Sequence, residues 1–419
     1  MLTAESQKKL TFKKMSDISL DFQDCKMIED KFTDIITTKS HIYMKSNIFD
    51  HKFIVIDGGH FNPLGIVRSL GEKGIRPDVI AIDTPDAIMT KSKYVNSKVF
   101  VKSAEEGIEY ILNHYTNEKE KPFLFTGSDS VISAIDKNFD KLKDGFFVFN
   151  CGIQDGINHL LSKYEQNVLA KSVGLNVPDF EEVKVGELPK HVKYPIITKA
   201  ASSLEYDWKS LTHICRNEKE LIAAYSTMNC EKILLQSYIE KENETGFDAL
   251  CINNGVDTYL PLQLTYHEVS ETDFGHSIYF FKPEDNELIK KIEKLMSLTR
   301  YEGILSVDLL IGKDKKVYFL EVNFRNTQWS YPSTCAGVNL PYIWAKSMLT
   351  RKLEIEDVVI KKEKFSSIIE LHELTYARKK GFMKFIRTLK KVLQTDSYII
   401  FNWKDMSPFF WAIKKFIMK

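Results

Sequence analysis

Short apolar runs, each followed by a stretch with helical spacing, dominate the first third of the chain. FIVIDGG (53–59) is such a run, and NPLGIVRSLGEKGI (62–75) follows it with apolar residues three and four apart. DVIAID (78–83), FLFTG (123–127) and FFVFN (146–150) read as further strands. Strands alternating with helices predict a mostly parallel, helix-covered sheet, an α/β domain over residues 51–152. Gly58, Gly59 and Gly65 do not spell G-x-G-x-x-G, so they indicate a tight strand-to-helix turn rather than a dinucleotide site. Residues 1–50 are polar and irregular and remain unassigned.

A helix is expected over about 158–173, closed by Gly174 and stopped by Pro178. From YPIITK (194–199) onward, strands and helices mix without strict alternation, which predicts an α+β domain over 153–352. ILLQSYI (233–239), DALCINN (248–254) and TYLPLQLTYH (258–267) are strand candidates. PEDNELIKKIEKLMSLTR (283–300) carries a helical stripe of Leu288, Ile292, Leu295 and Met296. GILSVDLLIG (303–312), KDKK and VYFLEVNF (317–324) read as strand, turn, strand. Residues 353–419 form a basic, aromatic-rich helical region; from Tyr376 to Lys419 it has eleven Lys/Arg against two Asp.

Composition narrows the classes. The chain has 419 residues, 43% hydrophobic and 27% charged, with net charge +1, which gives no global reason to expect nucleic acid as a partner. Cys25, Cys151, Cys215, Cys230, Cys251 and Cys335 are scattered without a C-x-x-C pair, as in reduced structural thiols. The first thirty residues are charged throughout, and no stretch has the apolar length of a transmembrane helix. A cytoplasmic protein is expected.

The chemistry concentrates in the 303–324 hairpin. If KDKK is the whole loop, Gly312 faces Val317 and Asp308 lies directly opposite Glu321. Side chains so paired have Cβ atoms roughly 4.5–5.5 Å apart, where like charges repel unless a cation sits between them. Asn323, two residues on, adds an amide oxygen to the same face, and Arg325 extends the row. Two carboxylates and an amide form a hard oxygen set suited to Mg²⁺ shared with phosphates, and Arg325 can fork a phosphoryl oxygen. The residues alone leave open a second arrangement, a solvated polar edge with Glu321 paired to Arg325.

In its order of elements the chain resembles the ATP-grasp superfamily of carboxylate–amine ligases, over about 150–350, with a pre-ATP-grasp domain before it. The matching residues are Lys163 opening a helix that ends in GLNVP (174–178), and Lys199 ending the YPIITK strand. ILLQSYIEKENETGFD then fits the adenine hinge, and Asp308 with E-V-N-F-R (321–325) fits the metal and phosphate residues. The resemblance implies ATP with Mg²⁺ (or Mn²⁺). It implies Lys163 and Lys199 on the phosphates, Gln236, Tyr238 and Ile239 along the base, and Glu244 on the ribose. It implies Asp308, Glu321 and Asn323 as metal ligands, with Arg325 and Lys199 as catalytic residues. Two departures stand out. The loop AASSLEYDWKS (200–210) has no glycine, leaving Ser202, Ser203 and Lys209 to cover phosphates, which points toward the D-aspartate-ligase-like or carbamoyl-phosphate-synthase-like branch. Phe324 also stands where a proline usually precedes the arginine.

The implied activity joins a small-molecule carboxylate, an amino acid for instance, to an amine through an acyl-phosphate, in cell-envelope or capsule assembly. A carboxylase and a silent nucleotide-binding module stay open as alternatives. His267 and His276 are candidate substrate contacts. In the tail, GFMKFIRTLKKVL (381–393) puts Phe382, Phe385, Ile386, Leu389, Val392 and Leu393 on one helical face, with Lys384, Arg387, Lys390 and Lys391 mostly opposite. SPFFWAIKKFIMK (407–419) repeats the theme. Packing of the apolar face onto the body is the commoner arrangement; the other is peripheral contact with a membrane interface.

Overall fold

The computed structural model describes residues 47–204, 208–267 and 275–417, without the side chains of residues 208, 209, 416 and 417. Lys209 as a phosphate contact, and most of the polar stretch 265–277, therefore lie outside the described residues.

The first domain is built on four parallel strands: β1 (Phe53–Asp57), β2 (Asp78–Ile82), β3 (Lys98–Val101) and β4 (Phe123–Phe125), in the order β3-β2-β1-β4. Strands β1, β2 and β4 are short and apolar because both faces are covered, whereas edge strand β3 leaves Lys98 and Phe100 exposed. Helices Asn62–Gly71, Ala104–Tyr115 and Asp129–Lys137 connect and flank them. FFVFN is not a strand as expected. Phe147 makes a single bridge to Phe123, and Asn150 a single bridge to Glu302 of the next domain. The segment is apolar because its side chains alternate between two cores: Phe146 and Val148 pack within the parallel domain, and Phe147 and Phe149 in the core shared with the central sheet.

A four-stranded antiparallel sheet follows, of β5 (Phe180–Lys184), β6 (Ile196–Ala200), β7 (Ile214–Cys215) and β8 (Lys232–Ser237), ordered β5-β8-β6-β7. It has a small core of its own, in which Ile196, Leu211, Leu221, Ile233 and Leu235 meet. The central sheet has seven strands. These are β9 (Lys241–Ile252), β10 (Asp257–Tyr266), β11 (Ser277–Phe281), β12 (Gly303–Gly312), β13 (Val317–Asn323), β14 (Phe365–Ile368) and β15 (Ser397–Tyr398). Their order is β13-β12-β9-β10-β11-β14-β15, antiparallel except for the last pair. The C-terminal helical region thus also supplies two strands to the edge of this sheet.

One continuous core joins the parallel domain to the central sheet. The fully buried Trp344 meets Phe123, Phe125 and Phe149 edge-on, with centroids 5.9, 5.4 and 4.8 Å away. Helix Asn286–Thr299 buries the expected Leu288, Ile292, Leu295 and Met296, and Asp285 caps it by accepting from the Glu287 and Leu288 N–H groups. The five cysteines among the described residues form no disulfide. No helix among the described residues is long and apolar enough to cross a membrane.

Candidate active site

The single helix expected over 158–173 is instead two, Gly156–Leu160 and Lys163–Ser172. The break follows from Ser162, whose extended backbone and hydroxyl cap the second helix at the Glu165 N–H. Lys163 is thereby the first helical residue. Its N–H donates to Ala201 O (2.9 Å), and Ser203 N–H donates to Leu161 O (3.2 Å). These bonds tie the glycine-free loop to the helix start, so Ser202 and Ser203 reach the same cavity as Lys163.

The hairpin pairs Asp308 with Glu321 and Ser306 with Asn323, as the expected register required. The turn end differs. Val317 faces Ile311 rather than Gly312, and Leu309 faces Phe319, so Leu320 is an extra residue in the ladder. The bulge lets Phe319 and Val322 both enter the core while Glu321 and Asn323 stay on the opposite face. Leu320 itself lines the cavity. The adjacent pair Phe319-Leu320 was the available sign, since it interrupts the apolar–polar alternation. On the other side of β12, Gly246 lies opposite Asp308, and a Cβ there would meet Val307 O at 2.5 Å. Only glycine allows that approach.

Arg325 leaves the strand, because β13 ends at Asn323. Its Nε and Nη2 each donate to a carboxylate oxygen of Asp129 at 2.8 Å, and Nη2 also donates to Asn323 Oδ1 at 3.1 Å. Glu321 pairs with Lys163, not with Arg325, so the solvated edge is not what forms. Asp129 was not anticipated. Its signal was position: it follows the carboxyl end of the parallel strand β4, where helix-covered sheets place ligand-binding loops.

These groups line a cavity of about 380 Å³. Lys163, Lys199, Ser202, Ser203, Asp308, Glu321, Asn323 and Arg325 all face it, joined by Asn62 and Asp129 from the first domain and by Tyr266, Leu320, Thr327, Gln328 and Trp329. Gln236, Tyr238, Ile239 and Glu244 do not line it. Gln236 is buried with its Oε1 accepting from Lys199 Nζ at 2.7 Å and its Nε2 without a hydrogen-bond partner. Glu244 accepts from Lys241 at 2.7 Å. His276 turns to Glu373 (3.3 Å) and His267 is exposed, and neither lines the cavity.

The electrostatics are those of a charged, half-buried site, in which the Lys163, Glu321, Asp129 and Arg325 side chains keep 16–22% exposure. Burial, then the Glu321 and Glu244 charges, push Asp308 up to about 7. Burial also opposes the Glu321 charge, but the Lys163 ammonium overrides it and holds Glu321 below the usual carboxylate range. Burial and neighbouring Lys163 push Lys199 down to about 8. For Arg325 the paired Asp129 outweighs burial and fixes the guanidinium in its charged form. No cluster of three or more His, Cys, Asp or Glu side chains at metal-binding distance occurs among the described residues. The protein offers two carboxylates and an amide, with Asn323 Nδ2 donating to Asp308 Oδ2 at 2.9 Å. Such a set fits an Mg²⁺ that takes its remaining oxygens from phosphates and water, and does not fit a cation held by protein alone.

No family model matches this sequence. A 129-residue stretch, 31% of the chain, is 26% identical to N5-carboxyaminoimidazole ribonucleotide synthase of Staphylococcus epidermidis and spans 34% of that relative. In three dimensions the chain is similar to an N5-carboxyaminoimidazole ribonucleotide synthetase described as an ADP complex, with TM-score 0.62 and 15% identity, covering 78% of this chain and 84% of that one. It is similar to an L-amino acid ligase from Bacillus licheniformis, with TM-score 0.57 and 16% identity, covering 73% and 77%. It is also similar to the biotin carboxylase domain of Hydrogenobacter thermophilus 2-oxoglutarate carboxylase, described with MgADP and bicarbonate, at TM-score 0.58 and 18% identity over 74% and 72%. All three likenesses lie below 25% identity, and what they show is that the chain has the fold of these proteins.

Proposed function

We propose that the chain is an ATP-dependent, ADP-forming ligase that joins a small-molecule carboxylate to an amine. The observation that carries this reading is that one cavity is lined by Asp308, Glu321 and Asn323 together with Lys163, Lys199 and Arg325. A module that merely held nucleotide would gain nothing from two like charges kept side by side in a buried place. In this reading a carboxylate oxygen attacks the γ-phosphorus of ATP, ADP leaves, and an acyl-phosphate forms. The amine lone pair then attacks the acyl carbon, phosphate leaves with the bonding pair, and the amine proton passes to solvent. Lys163, Lys199 and Arg325 neutralise charge on the transferring phosphoryl group, and Asp129 keeps the Arg325 fork aimed. Asp308, Glu321 and Asn323 would hold Mg²⁺, which supplies charge neutralisation on the phosphates.

Gln236, Tyr238, Ile239 and Glu244 keep their proposed places along the adenosine. The buried, unpartnered Gln236 Nε2 supports this, since a polar group in that state has a hydrogen bond still to make. The likeness to N5-carboxyaminoimidazole ribonucleotide synthases favours aminoimidazole ribonucleotide as the amine, and the biotin carboxylase neighbour, solved with bicarbonate, favours bicarbonate as the carboxylate. The L-amino acid ligase neighbour supports an amino acid instead. Neither likeness favours an envelope precursor. ADP release with Mg-ATP tests both sets: bicarbonate with aminoimidazole ribonucleotide, and amino-acid mixtures. Release that needs both a carboxylate and an amine supports the ligase. Nucleotide binding without release under any pairing would make the chain a binding module.

A further inference from the structure

We propose that helix Phe382–Leu393 docks the protein on an anionic lipid surface. The helix is set with its apolar stripe outward. Phe382, Ile386, Leu389 and Leu393 fall at four- and three-residue steps on one face and are 75%, 43%, 37% and 74% exposed, with Met383 beside them. The side turned to the body holds instead Thr388 and Val392, the two buried residues of the helix. An ordinary amphipathic helix does the reverse, hiding its large apolar residues and showing its small and polar ones.

Charge decides what covers the stripe. From Tyr376 to Leu393 the sequence has seven Lys/Arg and no Asp or Glu. Of these, Arg387 and Lys390 are exposed along one border of the stripe, and Arg378, Lys379 and Lys380 are exposed on the preceding turn. Nearby acids already have partners, in one case Lys391 of the helix itself. Glu370 accepts the Ile399, Ile400 and Phe401 N–H groups, Glu373 faces His276 and Lys391, and Asp396 pairs with Lys362. A second copy meeting the same face would bring Arg387 and Lys390 up against like charge, so a self-complementary interface is disfavoured. Anionic headgroups meet the cations while the acyl boundary takes the apolar stripe, and one surface satisfies both. The proposal does not depend on the ligase reading.

The test is co-sedimentation of the full chain with vesicles of phosphatidylcholine alone and of phosphatidylcholine mixed with phosphatidylserine. We expect binding to the mixed vesicles, lost on raising salt, and little binding to the neutral ones. Ile386→Glu with Leu389→Glu, and separately Arg387→Glu with Lys390→Glu, should each weaken binding by about tenfold or more while melting temperature stays near wild type. Equal binding to both vesicle types, or none to either, overturns the proposal. So does self-association without lipid that Ile386→Glu abolishes, since the stripe is then an interface between copies. The salt and lipid dependences need no variant, so a destabilised variant leaves the test intact.

Discussion

Asp308 and Glu321 stand opposite each other across one pair of strands, yet their protonation is driven in opposite directions. Burial and the Glu321 and Glu244 charges raise Asp308 from the ordinary 3.8 to about 7, so the folded chain holds a proton there that the unfolded chain has released. Its contribution to stability therefore falls as pH rises from about 4 to about 7. Without divalent ions, melting temperature should decline across that window, and the decline should be shallower in Asp308→Asn. Lys199 works the other way. Lowered from 10.5 to about 8, it is neutral in the folded chain where the unfolded chain is still charged, so its contribution rises with pH between those values. Asp308→Asn should also lower ADP release by about 100-fold or more while leaving the fold intact, if the site is electrostatic. Asp129→Asn tests the clamp on Arg325. It removes the charge that the fork holds at two 2.8 Å contacts, and release should fall by about 100-fold with nucleotide affinity changed far less. Single-turnover rates set beside equilibrium binding separate the two effects. Equal losses in both would show that Asp129 serves affinity alone.

At the scale of elements, the β9–β12–β13 ribbon carries the site, and its spacing rests on two local irregularities. The bulge at Leu320 turns Glu321 and Asn323 to the cavity while Phe319 and Val322 stay in the core. Gly246 lets β9 lie against β12 at Asp308, because any Cβ would press on Val307 O at 2.5 Å. A backbone carbonyl cannot swing aside as a flexible side chain can. Gly246→Ala should therefore cost about 1–3 kcal/mol in urea unfolding, and it should displace Asp308. If the variant unfolds like wild type and turns over normally, the strand spacing is not what sets the site.

For the whole molecule, a buried ion pair joins the first domain to the C-terminal segment. Arg68 is fully buried and donates to Asp405 Oδ2 (2.9 Å), Ile399 O (3.0 Å), Ile400 O (2.8 Å) and Asp405 O (3.0 Å). Asp405 also accepts from Ser92 Oγ (2.8 Å) and Lys93 N (2.9 Å). Removing one partner leaves a buried charge unanswered, so Arg68→Ala should destabilise by about 3–5 kcal/mol. Chemical denaturation measures it directly. Truncation after helix Glu370–Lys379 would remove β15 and Asp405 together, and an unfolded product is the expected outcome. Point substitutions on the exposed stripe, rather than truncation, are the right probes of the tail.

The amino-acid sequence by itself determined what depends on near neighbours. The 286–299 helix was legible because its apolar residues repeat with the helical period, and the β12–β13 hairpin because KDKK separates two apolar runs. Asp308, Glu321 and Asn323 could be set on one face because strand positions alternate, whereas Lys163 and Lys199 were singled out by the resemblance alone; the structure brings all five to one cavity. Strand β3, helices Ala104–Tyr115 and Asp129–Lys137, and the pairing of β14 with β11 and β15 were not read from the sequence. Short strands at sheet edges carry too few residues for a period to show. Only the tertiary structure decided the rest. The Asp129–Arg325 clamp spans 196 residues, the Arg68–Asp405 pair spans 337, and contacts so distant leave no trace in local periodicity. The tail helix is the clearest division of labour. Its sequence declared an apolar face and a basic face, but which of them meets water depends on how Thr388 and Val392 dock, and that is set by the surface beneath them.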